Sequence, residues 1–355
     1  MQRWGAIEGL RGILALWAAL NHMIAYSGVA VPGWAAQWLV NGATHAVHVF
    51  MIISGFVITH LVLGKREAYV PYLCRRFLRL FPAFAVCVGL GWASYGWFIH
   101  GLETFAGPSL VALYQGRADA VAGAPVAYFL AQMTMLHGML PKEVLPYADG
   151  VFLGTGWSVS LEWQFYLVAP FVVAALGTVR GAVAVVALCV VLWTAAAGGL
   201  FGTFARDSLL FAATPYFLVG IGSRLAWPAI QGKAGAGVAL VLLAGALAML
   251  APAAVALLVW AVFFPLLVTG AGDAVLCHPA MLWLGRISYS IYLLHIIVIG
   301  LVMGLAASLV PSMSSGMLLA SMLASLPVII AGSALLHRFV EVPGMAMGRR
   351  APVLA

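Results

Sequence analysis

Charge is what this sequence has least of: its 355 residues include 17 Lys or Arg and 10 Asp or Glu, 8% charged against 64% hydrophobic. Soluble globular domains carry about 25% charged residues, so water is excluded as the main solvent of the chain. Cysteine is also scarce. Cys74, Cys87, Cys189 and Cys277 lie far apart, with no CxxC and no histidine at ligand spacing, which excludes a disulfide framework and a metal site of the zinc type. Fixed-period repeats are missing, and no pair of matching halves points to an inverted-repeat transporter.

What the chain has in abundance is long apolar runs. A bilayer core needs roughly 20 apolar residues per helix, and runs of that length, punctuated by Gly, Pro and charge, predict spans near 7–28, 45–63, 77–99, 155–177, 181–200, 208–225, 236–251, 254–271, 282–308 and 316–340. A further apolar segment near 126–140 is short and ends at Pro141, as a re-entrant or interfacial helix would. The basic cluster Lys65, Arg66, Arg75, Arg76 and Arg79 marks its side of the membrane as cytoplasmic, and Arg338, Arg349 and Arg350 do the same for the C-terminus. The expected fold is therefore an all-α integral membrane protein of about ten transmembrane helices with both termini cytoplasmic. One domain covers 1–345, and 346–355 forms a short cytoplasmic tail. The first apolar run contains Glu8 and Arg11 and lacks a small-residue cleavage site, so it reads as a span and not as a removable signal. Orientation explains the net charge of +7 better than nucleic acid does.

Ionisable groups inside spans are costly and need a partner, water or a task. The first span holds Glu8, Arg11 and His22. Eleven residues of helix turn close to three full turns and rise about 16 Å, so Arg11 and His22 share a face without touching, and Glu8 sits where it can neutralise Arg11. His22 reads either as a base lining a polar channel or as a core histidine satisfied by a neighbouring helix. The fourth span opens with Trp157, Ser158, Val159, Ser160, Leu161, Glu162, Trp163 and Gln164. Glu162 suits the orientation of an imidazole base, and equally a structural hydrogen bond. Arg75, Arg76 and Arg79 suit bidentate phosphate binding, although topology alone also accounts for them. Arg286, Ser288, Tyr289, Ser290, Tyr292 and His295 make the ninth span unusually polar, and His45 and His48 stand one helical turn apart near the outer end of the second.

Several of these residues fall in ordered motifs. They are Glu8-Gly-Leu-Arg11 with Trp17 and His22, Ile53-Ser-Gly-Phe-Val-Ile58, Arg75-Arg76-Phe-Leu-Arg79-Leu-Phe-Pro82, Trp157-Ser-Val-Ser-Leu-Glu162-Trp-Gln-Phe-Tyr166, Leu284-Gly-Arg-Ile-Ser-Tyr-Ser-Ile-Tyr-Leu-Leu-His295 and Glu341-Val-Pro343. In this order the chain resembles the acyltransferase-3 family of membrane O-acyltransferases across nearly its whole length. The resemblance implies about ten transmembrane helices and an acyl donor, usually acetyl-CoA, arriving from the cytoplasm. It also implies a hydroxyl acceptor on a cell-envelope or exported glycan, on its lipid-linked precursor, or on a small molecule such as an antibiotic. It further implies that Arg11 and His22 are required and that Arg76 and Arg79 serve the donor. The sequence departs from the family pattern at Glu8, where Asp is frequent, and at Glu162-Trp163, where two acids often stand together. It shows no soluble esterase-like domain after the last span.

The expected mechanism has His22 as base, assisted by Glu162 and Arg11, with Arg75, Arg76, Arg79 and Arg286 toward acyl-CoA. Trp157, Ser158, His45, His48, Tyr292 and His295 are the candidates to line the acceptor site. The expected partners are acyl-CoA, the glycan acceptor and membrane lipids, with no metal and no nucleic acid, in a bacterial inner membrane. A transporter or flippase for a glycan lipid is the competing reading, supported by many spans and a few buried charges.

Overall fold

The computed structural model describes residues 4–64, 67–230 and 255–350, and every regular element among them is helical. In chain order the helices of seven or more residues are α1 (Gly5–Ser27), α2 (Gly33–Leu39), α3 (Gly42–Gly64), α4 (Tyr69–Ala93), α5 (Tyr95–Phe105), α6 (Pro108–Gly123), α7 (Pro125–Met133), α8 (Gly156–Ala175), α9 (Val179–Ala197), α10 (Leu210–Ile230), α11 (Val255–Thr269), α12 (Pro279–Leu309), α13 (Ser315–Ala324), α14 (Leu326–Leu336) and α15 (Val342–Arg350). By length and composition five segments qualify as membrane-crossing: α3, α8, α9, α12 and the continuous helical path Ser315–Arg349. α4 and α5, bent by 57° at their junction, make a sixth if taken as one span. Helices also occupy the expected first, sixth and eighth spans, as α1, α10 and α11, while the expected span 236–251 lies outside the described residues.

Two features differ from the sequence expectation in detail, and a third, the short segment near 126–140, agrees with it. The span expected at 77–99 begins at Tyr69, so Arg75, Arg76 and Arg79 stand on the first turns of α4 and not in a loop before it. Its break falls at Ser94, whose hydroxyl donates to the carbonyl of Leu90 at 2.8 Å, a back-bond that bends helices. The segment near 126–140 is α7, nine residues long, followed by a turn of tight helix at His137–Met139, far too short to cross a bilayer. α6 was not anticipated, because the polar residues Gln115, Arg117 and Asp119 hide its 16 helical residues from a hydropathy reading.

The chain divides into two compact units. The first comprises the chain up to Asn21, then Val31–Gly64 and Pro215–Tyr289. Its helices cross where glycine removes a side chain. A Cβ on Gly55 of α3 would overlap the carbonyl of Phe217, and one on Gly220 of α10 would overlap that of Ile52. α1 and the start of α12 meet in the same way, since Gly12 packs on Gly285 and Gly285 on the Glu8 backbone. Small residues are the usual means of close approach for helices in lipid, where hydrophobicity no longer drives association. Around these crossings Trp4, Phe56, Trp227, Trp260 and Phe264 form a continuous aromatic cluster, with centroids 5.4 to 6.2 Å apart.

The second unit comprises His22–Ala30, Lys65–Thr214 and Ser290–Ala355. α5 lies along the second half of α12, with Gly101 against Met303, Gly300 against Phe98 and Gly304 against the Trp97 carbonyl. α15 lies along α4, where Gly344 approaches the Leu78 carbonyl and Gly348 approaches Arg75. The connection 134–155 folds inward, and side chains of α8 hold it: Ser160 accepts from the Gly138 backbone N–H at 3.0 Å, and Gln164 donates to the Ser208 carbonyl at 2.9 Å. Ser208 in turn donates to the Gly138 carbonyl at 2.8 Å. Gln164 therefore answers to the structural reading of the motif that carries it.

Candidate active site

The second unit brings together residues from three of the sequence motifs. His22, near the end of α1, places Nδ1 2.9 Å from Nε2 of His295 on α12. His295 is fully buried, and its own Nδ1 lies 2.9 Å from the Ile291 carbonyl. A carbonyl oxygen only accepts, so His295 Nδ1–H donates, and in the neutral ring Nε2 carries the lone pair. That lone pair accepts from His22 Nδ1–H, which makes His22 the tautomer with its lone pair on Nε2. Two hydrogen bonds thus settle which nitrogen of His22 can take a proton.

The pair continues into polar side chains. Tyr292, less than one turn before His295, sits with ring centroids 5.9 Å from it and accepts a hydrogen bond from Ser158 of α8 at 2.8 Å. The carbonyl of Thr155 lies 3.0 Å from the Ser158 hydroxyl and 3.4 Å from that of Tyr292. Trp157 beside them is buried. On the other side Tyr26, one turn beyond His22, has its ring 6.1 Å from the imidazole, and its hydroxyl lies 2.7 Å from that of Tyr114 on α6.

Further along α8 and α4 lies a second polar group. Glu162 accepts a hydrogen bond from Tyr166. Arg76 stands 5.9 Å from the ring centres of both Tyr166 and Tyr72, and its Nε is buried without a hydrogen-bond partner. Arg79 is within electrostatic reach of Tyr166, and its Nη1 lies 3.9 Å from the Met345 sulfur on α15. Arg75 is ion-paired with Glu67, so the three arginines are not equivalent. Near the C-terminus Glu341 of the Glu-Val-Pro motif accepts from Ser290 of α12 at 3.0 Å and from His337 at 2.8 Å. The polar serine of the ninth-span motif and the last motif are therefore one contact.

The remaining expected residues belong to the first unit. Arg11 pairs with Glu8 at 3.4 Å. Arg286 is exposed and follows Gly285, the residue that packs on the Glu8 backbone. His48 is buried and stacks on Tyr216 at 4.0 Å, and His45 is half-buried one turn before it.

Sequence reasoning missed the groups around the inward connection. His137 is fully buried, stacked on Phe84 at 5.6 Å and hydrogen-bonded through Nε2 to the Gly156 carbonyl at 3.1 Å. Burial pushes its pKa down to about 4, and the Gly156 contact only partly offsets this. At the mouth of a cavity of about 430 Å³ lined by Leu140, Tyr147, Asp149 and Thr203, Glu143 accepts from the Thr203 backbone N–H at 3.0 Å, which holds its carboxyl below the usual range. Met135 and Tyr147 on this connection adopt left-handed backbone with φ of 54° and 60°, which is strained for non-glycine residues. Arg117, Asp149 and Arg206 complete the missed set. The one signal for it in the sequence is an arginine within the mixed segment 108–123.

Helices throughout the described residues, several of them apolar spans, and a hydrogen-bonded histidine pair define a membrane protein with the parts for proton transfer. The acyltransferase-3 family, described as an acyltransferase domain, matches residues 4–338; the chain belongs to this family and is an integral membrane protein. It is 31% identical over 166 residues to the protein named "Putative membrane-bound transacylase BcsY" from Komagataeibacter xylinus. That match covers 46% of this chain and 35% of the relative, so the chain spans about a third of the relative's length. No solved structure matches.

Proposed function

We propose that this protein is an O-acyltransferase of the bacterial inner membrane, with both termini cytoplasmic, that moves an acetyl group from acetyl-CoA to a hydroxyl of an envelope glycan or its lipid-linked precursor. The observation that carries this reading is the His22–His295 pair, because it leaves a basic nitrogen of defined tautomer on His22. His22 Nε2 takes the proton from the acceptor hydroxyl as that oxygen attacks the thioester carbonyl. The carbon–sulfur bond then breaks, and the imidazolium returns the proton to the departing sulfur, which leaves as the free thiol of CoA. His295 accepts from His22 throughout, holding the ring and stabilising its charged form. Tyr292 and Ser158 extend this polar lining toward Trp157.

Donor binding falls to the α4 group. Arg76 and Arg79 take the CoA phosphates, the role for which a guanidinium fork is suited. Arg75, already paired with Glu67, contributes less. Glu162 holds Tyr166 beside Arg76 and so shapes this end of the site. Arg11 and Arg286 are assigned to the donor and His45 and His48 to the acceptor by the sequence, not by contact with this group.

The test is release of free thiol from acetyl-CoA by the purified protein, with and without envelope glycan precursors. His22→Ala should lose on the order of 10³-fold in acceptor-dependent release. Arg76→Gln should raise the KM for acetyl-CoA by about tenfold or more, and Arg75→Gln by less. Transfer at the wild-type rate in His22→Ala rejects the mechanism. Substrate movement into vesicles without thioester turnover rejects the enzyme.

A further inference from the structure

Tyr26 links the histidine pair to a buried cationic cluster that the reaction above does not use. Its hydroxyl meets that of Tyr114, and one turn further along α6 the guanidinium of Arg117 lies over the Tyr114 ring at 4.6 Å. Arg117 is 2% exposed, yet its Nε and Nη1 have no hydrogen-bond partner. Two N–H donors of a buried cation left unmet are rare in native proteins and call for an explanation. Asp149 is within electrostatic reach of Arg117, but its Oδ2 lies nearer Arg206, 3.7 Å from Nη1, beyond hydrogen-bond length. Arg206 Nη1 donates instead to the Gly154 carbonyl at 2.6 Å.

The two arginines border one spot. A Cβ on Gly150 would stand 3.3 Å from Arg206 Nη1 and 3.5 Å from Arg117 Nη2, so the absence of a side chain there lets both guanidinium groups approach the same stretch of backbone. Gly150 and Gly154 line a narrow cleft together with Ser94, Tyr95 and Tyr114. An oxyanion seated against the Arg117 guanidinium would supply acceptors for its unmet Nε and Nη1 donors, which no neutral hydroxyl supplies as well.

We propose that Arg117 and Arg206 bind a carboxylate or phosphate carried by the acceptor, so that this protein acylates an acidic glycan and the anchored charge directs its hydroxyl past Tyr26 to His22. This proposal rests on the acyl-transfer reading, and its test separates the two. The full chain, purified in detergent, is given three probes of similar size: a glucuronate-containing oligosaccharide, a sugar phosphate and a neutral cello-oligosaccharide. Binding is measured by calorimetry without donor, and thiol release is measured with acetyl-CoA. A charged probe should bind about tenfold more tightly than the neutral one and show a correspondingly lower KM, with the carboxylate and phosphate probes telling which group is read. Arg117→Gln should collapse that ratio toward one, and Arg117→Lys should restore part of it. Arg206→Gln, at a half-buried position, repeats the test if Arg117→Gln fails to fold. Thiol release with no preference for charge, or a preference that survives Arg117→Gln and Arg206→Gln, overturns the oxyanion site and leaves the enzyme. Charge-dependent binding with no thiol release from any acceptor overturns the reaction and leaves the oxyanion site.

Discussion

α9 and α12 are both long apolar helices that qualify as membrane spans, and they have opposite surroundings. No residue of α9 is buried, and Val179, Val183, Leu188 and Val191 all face outward. α12 buries Ser288, Ser290, Tyr292 and His295. Hydropathy says that both prefer to leave water; it does not say what replaces the water. Polar residues make that distinction, since an unmet polar group in hydrocarbon is costly. Of charged and hydroxyl groups α9 carries only Arg180 in its first turn and Thr194, whose hydroxyl bonds back to the Val190 carbonyl at 2.9 Å, whereas α12 gathers Ser290, Tyr292 and His295 where Glu341, Ser158 and His22 supply partners.

Replacing a polar residue of α12 should therefore have the largest effect. His295→Leu removes the acceptor that sets the His22 tautomer, and kcat should fall by roughly 10²-fold, the range for loss of a positioned acid–base partner. The KM for acetyl-CoA should stay near the wild-type value, and an unchanged kcat would remove His295 from the mechanism.

Next in size is a packing change on the same helix. Gly304→Leu places a branched side chain against the Trp97 backbone and ring, and overpacking of this kind costs about 1–3 kcal/mol or more. A clear drop in melting temperature in detergent is expected. No drop would mean that α5 and α12 are not closely packed there.

An effect of similar size should appear with pH, away from both helices. The folded-state pKa of His137, about 4, lies below the unfolded value of about 6.5, so the unfolded chain binds the proton first as pH falls. This group leaves stability unchanged above about pH 6.5 and lowers it between there and about pH 4, by roughly 3 kcal/mol in total. His137→Phe, which keeps the stack on Phe84, should flatten that part of the melting profile. An unchanged slope would assign the acid sensitivity elsewhere.

The smallest effect belongs to α9. Val183→Ala and Val191→Ala should each shift stability by no more than about 0.5 kcal/mol, because both side chains are mostly exposed. A loss comparable with that of Gly304→Leu would show that α9 is covered by something and would erase its contrast with α12.

Much of this was legible before the structure. His22, Tyr292, His295, Ser158 and Glu162 stood out because polar side chains are expensive in an apolar run. The pairing of His22 with His295 was not legible, since 273 positions separate them in the chain and helical periodicity relates only neighbours on one helix. The bond that Glu162 accepts from Tyr166, one turn along its own helix, was not foreseen either. α6 went unseen because its mixed composition is neither a clear span nor a clear loop, and the buried Arg117 went unseen with it.

Composition and motif order by themselves determined that this is a helical membrane protein of the acyltransferase-3 family, because apolar length and costly polar residues are written residue by residue along the chain. Only the tertiary structure decided that His295 sets the tautomer of His22, that Arg75 differs from Arg76, and that an unmet guanidinium lies buried beyond Tyr26. A hydrogen bond depends on distances of about 3 Å between groups remote in sequence, and only the packing of helices against one another sets those distances.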